Sequence, residues 1–402
     1  MMGQVTRRIV ILTTAVCLRA QPLDPATLLL SRIRVHAATT LARQPNYTCV
    51  ETVERQRRSG PARKLQMQDT LRLEVALVDG KEMFAWPGSK KFEDTDLRKM
   101  ITTGAFGNGN FAIHARAIFT TGAPTFDHRG AVMLQGRAAI RYDFHVSRLM
   151  SGYHIRVQDR EAVVGYHGSF YVDPDSLDLR RLDVVAEDIP YEIGLTDSTD
   201  RVDYGLVKIG NESFLLPVES ELSMTDLNGQ ESRNYVRFSS CRQYSGESVL
   251  RFDDVPSADA GVSGGADLEL ELPQDLSLAV ALDQEIDLKA AAAGDPIRGR
   301  LQGDVKYKGR VLLPKGAAVV GRITRLERAS DYTAFGLTFT DLEAPGLHAN
   351  FKLKFDRALG WDGLTQNRRF TSSPIPEPGE CLIMLSPGRV RLNRGVLTFW
   401  RT

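Results

Sequence analysis

The chain is short of the residues that announce most chemistries. Its 402 residues include only 4 cysteines, 3 tryptophans and 7 histidines. No two cysteines stand in a C-x-x-C spacing, so structural zinc and thioredoxin-like redox chemistry have no ligand set to start from. An excess of one charge sign is missing too. Lys plus Arg number 51 against 50 for Asp plus Glu, a formal charge of +1, and without a global field nucleic acid is excluded as a main partner. Ser169 lies outside any Gly-x-Ser-x-Gly elbow, and the loop Gly107-Asn108-Gly109-Asn110 lacks the Lys and Ser/Thr of a phosphate-binding loop. The residues thus specify no reaction, cofactor or metal, and the chain reads as a non-catalytic protein. What is present is an ordinary folded mixture, 42% hydrophobic and 25% charged. At about 150 residues per domain the length implies two or three folded units.

The N-terminus supplies the first positive signal. Arg7 and Arg8 precede an apolar run from Ile9 to Leu18, and Ala20 before Gln21 offers a cleavage point. That is the pattern of an export signal over residues 1–20, too short to span a bilayer. Cys17 raises lipidation as an alternative, although Val16 stands where a small residue is expected. No later segment is long and apolar enough for a transmembrane helix, so the mature chain is expected to be periplasmic or associated with the outer membrane. In an oxidising compartment Cys49, Cys241 and Cys381 give one pair and one leftover, or else three reduced thiols. Cys49 lies near the first strand of the N-terminal domain and Cys241 near its last, so their bridge is the expected pair.

Periodicity then divides the chain. Asp24-Pro25 forms a helix cap and first turn, and Leu30, Ile33, Ala37 and Leu41 follow at helical spacing. After Pro45 the period becomes two. Leu65, Met67, Leu71, Leu73, Val75 and Leu77 share one face of a long strand, with Asp69 the polar intruder on it. Asp79-Gly80 turns the chain back through Met83 and Phe84. A short helix is expected near Asp94–Ile101, then a loop at Gly104–Asn110. Ile140, Tyr142, Phe144 and Val146 open a further run of strands that ends at Tyr235–Cys241, an antiparallel meander without βαβ units. Residues 252–267 are acidic and glycine-rich, which places a linker between a domain at 21–251 and a small β-barrel or sandwich at 268–402.

Few side chains are placed for function. His145, His154 and His167 fall in neighbouring strands and could form a metal site, but His145 alternates with Arg141 and Asp143 on a solvated face. Asp173-Pro174-Asp175 reads as a turn whose carboxylates bond to backbone NH groups. Arg55, Arg57, Arg58, Arg63 and Lys64 surround Ser59-Gly60-Pro61 and make a basic hairpin tip suited to anionic headgroups. The strongest candidate is the apolar face carrying Leu71, Leu73, Val75, Tyr142, Phe144 and Val146. A single helix of about 20 residues is expected to leave part of it open to a hydrophobic ligand; a sealed core is the alternative, and a hydrolase a weaker one.

Several stretches carry a resemblance. Pro45-Asn46-Tyr47-Thr48-Cys49-Val50-Glu51-Thr52-Val53-Glu54-Arg55, Gly168-Ser169-Phe170-Tyr171-Val172-Asp173-Pro174, Leu215-Leu216-Pro217 and Ser240-Cys241-Arg242 resemble exported proteins of acidobacterial type. More distantly they are similar to the LolA-like lipoprotein-sorting fold, an antiparallel half-barrel wrapped round a helix with an apolar concavity. Ala293-Gly294-Asp295-Pro296-Ile297-Arg298-Gly299-Arg300 and Gly309-Arg310-Val311-Leu312-Leu313-Pro314-Lys315-Gly316-Ala317 resemble the β-barrel module of TrbI-type conjugal-transfer envelope proteins. The resemblances imply a mainly β envelope protein that holds a hydrophobic or lipidated ligand, or an envelope protein partner, in the half-barrel.

Overall fold

The computed structural model describes residues 24–89, 92, 113–157, 160–244, 272–329, 331–344, 347–350, 353–359, 376 and 378–402. The export signal expected at 1–20, the helix expected at 94–101, the loop expected at 104–110 and the linker expected at 252–267 lie outside these residues.

Helix α1 (Pro25–Ala42) forms where its cap predicts. The Asp24 carboxylate accepts from the Thr27 backbone N–H at 3.2 Å, and Pro25 occupies the first turn, where it has no hydrogen bond to lose. Ile33, Ala37 and Leu41 are its buried face. Strand β1 (Tyr47–Ser59) follows, then β2 (Gln66–Val78) and β3 (Lys81–Ala85). A second helix, α2 (Ile113–Thr120), buries His114, Ala115, Ile118 and Phe119.

The meander continues through β4 (Thr125–Leu134), β5 (Arg137–Val146), the hairpin β6 (His154–Val157) and β7 (Arg160–Val163), β8 (Gly165–Val172) and β9 (Leu179–Glu187). Long strands β10 (Leu195–Ile209), β11 (Glu212–Asp226) and β12 (Gln230–Gln243) complete it. Pairing is antiparallel in the order β4-β5-β8-β9-β10-β11-β12-β1-β2-β3. Sequence-last β12 thus closes onto sequence-first β1, with Tyr47 opposite Gln243. Across this seam Cys49 and Cys241 form a disulfide. Its 192-residue separation gives about 5 kcal/mol in the chain-entropy account.

Residues 272–402 build around a separate apolar cluster running from Leu276 to Trp400, with Phe335, Leu337, Phe339 and Trp400 fully buried. Its main strands are β13 (Ser277–Leu282), β15 (Pro296–Leu301), β18 (Ala318–Arg328), β19 (Thr333–Ala344), β21 (Lys354–Leu359), β22 (Cys381–Leu385) and β24 (Leu397–Arg401). They pair as β21-β24-β13-β15-β18-β19-β22. Small pieces β14 (Ile286–Asp287), β16 (Val305–Tyr307), β17 (Arg310–Leu313), β20 (Leu347–Asn350) and β23 (Arg391–Leu392) decorate this order. Among the described residues β21 and β22 do not pair, so no closed barrel is shown for the segment expected to be a small β-barrel or sandwich. Cys381 is the leftover thiol, buried and reduced.

The two segments meet along β2. Its outer edge pairs first with β3, then through Leu71 with Ala293, then through Asp69 with Glu327. The Arg72 N–H donates to the Ala293 carbonyl at 2.7 Å, and its guanidinium binds Asp295 at 2.5 and 2.6 Å. Gly294 adopts φ +102°, and a Cβ there would stand 2.1 Å from the Arg72 carbonyl and 2.8 Å from the Trp86 ring. Only glycine permits that approach.

Candidate functional site

The concave face of the N-terminal sheet is covered by two helices. Ile33, Ala37 and Leu41 of α1 and Ala115, Ile118 and Phe119 of α2 pack onto Tyr142, Phe144 and Val146 of β5, Tyr166 and Phe170 of β8, and Leu182 and Val184 of β9. Tyr142 stacks on Phe170 with centroids 5.3 Å apart, and Phe119 meets the same ring edge-on at 5.1 Å. The Tyr142 hydroxyl donates to the Ala26 carbonyl at 2.8 Å and fixes the start of α1. Further polar latches hold the helix: Arg34 donates to the Thr121 carbonyl, His36 meets Asp178 at 2.7 Å, and Gln44 donates to the Leu215 carbonyl at 3.0 Å.

The six residues expected to line a ligand cavity are therefore buried, and they divide between two clusters. Tyr142, Phe144 and Val146 lie under the helices. Leu71, Leu73 and Val75 belong to a second cluster with Tyr47, Phe84, Leu216, Val236 and Phe238. Among the described residues a small free space lies at the seam of α1 and α2 with β9, β10 and β11. There His36, Ala37, Thr40, Leu41, Ala115, Leu179, Tyr204 and Leu215 enclose a cavity of about 20 Å³, room for about one water. Among the described residues α2 packs beside α1 on this face, which the single helix expected from the sequence would leave partly open.

Polar groups face the same interior, and periodicity did not single them out. Glu51 alternates inward with Tyr47, Cys49 and Val53 on β1 and is 2% exposed, with Oε2 lacking a hydrogen-bond partner. Burial, with the nearby Glu82 charge adding to it, pushes its carboxyl up to about 8. Asp200 of β10 is equally buried. Its Oδ2 meets His114 of α2 at 3.2 Å, while Oδ1 has no partner. Tyr204, on the cavity wall, is pushed far above its ordinary value by burial and then by the charges of Asp200 and Glu82. A polar residue among inward apolar neighbours, such as Glu51 between Cys49 and Val53, is the only trace these groups leave in the sequence.

The other candidates resolve individually. His145 and His167 flank Glu187 at 3.3 and 3.2 Å, while His154 pairs with Glu161 on the β6–β7 hairpin. Among the described residues no group of three metal-ligating side chains assembles. Asp173 accepts from the Asp175 and Ser176 backbone N–H groups at 2.9 and 3.1 Å, as a turn cap does. The Ser169 hydroxyl donates to Asp143 at 2.7 Å. The basic tip is smaller than expected. Arg55 is 2% exposed and binds Asp69 at 2.6 and 2.5 Å, the buried partner that explains the polar intruder on β2. Arg58 is engaged by Glu231, which leaves Arg57, Arg63 and Lys64 exposed at the tip.

No family model and no curated protein matches the chain. Five solved chains are similar to it, among them the following two. One is a DUF1329 family protein from Desulfovibrio piger, at 10% identity over 56% of this chain and 97% of that one, TM-score 0.31. The other is described as an outer membrane lipoprotein-sorting protein domain, from Vibrio parahaemolyticus, at 11% identity over 54% of this chain and 94% of that one, TM-score 0.30. At such low identity and overlap, every functional inference is left to the geometry of this chain.

Proposed function

We propose that the chain is a non-catalytic, exported envelope protein that takes up a hydrophobic or lipidated ligand between α1 and the concave sheet. The observation that carries this reading is the cavity at the α1–α2–β11 seam, bounded mostly by apolar groups and by a helix that buries only three side chains. The cavity holds no acyl chain while α1 is seated, so uptake requires α1 to lift. Ile33, Ala37 and Leu41 contribute about 5 kcal/mol of burial to be given up. A chain of about 15 methylenes offers about 12 kcal/mol in return, before ordering costs. The sheet beneath, closed by the Cys49–Cys241 bridge, keeps its shape while the helix moves. A disulfide of this kind fits an oxidising compartment and agrees with the leader-like residues 1–20. To the segment 272–402, on its resemblance to TrbI-type modules, we assign association with an envelope partner.

The test is displacement of a fluorescent fatty acid, together with lipid extraction from protein purified out of the periplasm. Bound lipid and a displaceable probe are expected, and Leu215→Lys, which puts a charge on the cavity wall that stays in place when α1 lifts, abolishes probe binding. Absence of both lipid and probe binding overturns the carrier reading. The sealed core, favoured by the small size of the cavity, then takes its place.

A further inference from the structure

We propose that one end of the N-terminal half-barrel is a docking surface for an anionic lipid bilayer. Strand register brings four connections to that end. Val146 stands opposite Tyr166, Gly165 opposite Glu187, Leu195 opposite Asp226, and Ser59 opposite Gln230. The β5–β8, β9–β10, β11–β12 and β1–β2 connections therefore leave the sheet side by side. Each of the first three raises a large apolar side chain into solvent: Leu149 (97% exposed) and Met150 (61%), Tyr191 (79%), and Leu227 (43%). The fourth is the basic tip, with Arg57, Arg63 and Lys64 exposed, and Arg148 stands beside Leu149.

These connections are braced. Ile155, Val164, Ile193 and Leu195 form a small core beneath them. Arg160 donates to the Glu192 carbonyl at 2.6 Å, and the Leu227 N–H donates to the Gly194 carbonyl at 3.2 Å. Most acids at this end are already engaged: Glu161 by His154 and Arg156, Glu231 by Arg58 and Arg233, and Asp226 by the backbone N–H groups of its own turn. Among the described residues Asp188 and Glu192 remain, against the four cations Arg57, Arg63, Lys64 and Arg148.

Apolar tips flanked by cations match the layering of a membrane interface, in which hydrocarbon lies just beneath anionic headgroups. A protein partner would be met by a continuous apolar patch; here single side chains stand on separate loops, the spacing at which each can enter lipid independently. The assignment goes beyond the ligand reading and holds whether or not the cavity binds lipid.

Vesicle flotation tests it with the full chain, using phosphatidylglycerol mixed into phosphatidylcholine against phosphatidylcholine alone. Retention is expected on the anionic vesicles and is expected to weaken with salt. Leu149→Asp with Tyr191→Asp, or Arg57→Glu with Arg63→Glu, reduces it about tenfold. Both variants alter exposed groups, so the unfolding transition and fatty-acid displacement stay unchanged, whereas Leu215→Lys loses the probe and still floats. The docking surface is overturned if the parent chain ignores anionic vesicles, if the variants float as well as the parent, or if retention requires membrane protein.

Discussion

The two faces of the N-terminal sheet use the same side chains to opposite ends. On the convex face Asp143 is bound by Arg129 and Arg141 at 2.7 Å, Asp203 by Arg181, and Asp183 by Arg201. Partial burial pushes Asp143 up, but hydrogen bonds from Ser169, Arg141 and Arg129 outweigh it and hold the carboxyl below its ordinary value. On the concave face Glu51 has no such donor at Oε2, and burial raises it instead. One face is therefore a cross-strand ladder of satisfied charge. The other is an apolar floor on which, among the described residues, Glu51 Oε2 has no partner and Asp200 is met only by His114 of α2. A fold with no interior task has little reason to keep a carboxyl there, because an apolar residue of the same size would be more stable.

The sharpest break in this contrast comes from the packing. Phe170→Ala removes the ring shared by Phe119, Phe126 and Tyr142 and is expected to cost about 3–5 kcal/mol in denaturant unfolding. Arg55→Met strands buried Asp69 and should cost a similar ~3–5 kcal/mol, most of it recovered in the double variant Arg55→Met/Asp69→Leu. Failure of that recovery would mean that the pair also shapes the contact with Glu327.

Glu51 sharpens the comparison through pH. Its folded value near 8 exceeds its ordinary 4.5, so between those values the unfolded chain has released a proton that the folded chain still holds. Stability from this group is fully present below about pH 4.5, falls as pH rises, and levels off above about pH 8. Glu51→Gln should remove that slope and raise stability at pH 9 by about 2–4 kcal/mol, read from urea midpoints at several pH values. Asp143 has the reverse sign. Its contribution is present above the ordinary carboxylate range and lost as pH falls through its lowered folded value. Asp143→Asn, on the solvated ladder, should cost only about 0.2–1 kcal/mol near neutral pH and nothing in strong acid.

Much of this architecture is written in periodicity. The alternation of β2 and β5, the Asp24-Pro25 start of α1, the Asp79-Gly80 turn and the Cys49–Cys241 pairing are all local patterns or simple arithmetic. Helix α2 escapes notice because Ile113–Thr120 covers barely two turns, too few for a period to emerge. Arg55 looks like part of a basic tip because its neighbours at 57, 58, 63 and 64 are cations. Only the register that sets it opposite Asp69 reveals a buried pair. The candidate site was the least legible part. Two inward apolar stretches read alike, and nothing in either stretch says that two helices pack on one while a small cavity opens beside Tyr204 and Leu215.

Gly294 also has a mechanical consequence. Because its backbone seats directly against Arg72 and Trp86, a pull applied to the C-terminal segment is delivered to β2 as shear, with the Arg72–Asp295 pair as the fastener. From β2 the load passes to β1, and from there into the cystine bond. A tether on residues 272–402 would therefore strain β2 and β1 before it slackened α1.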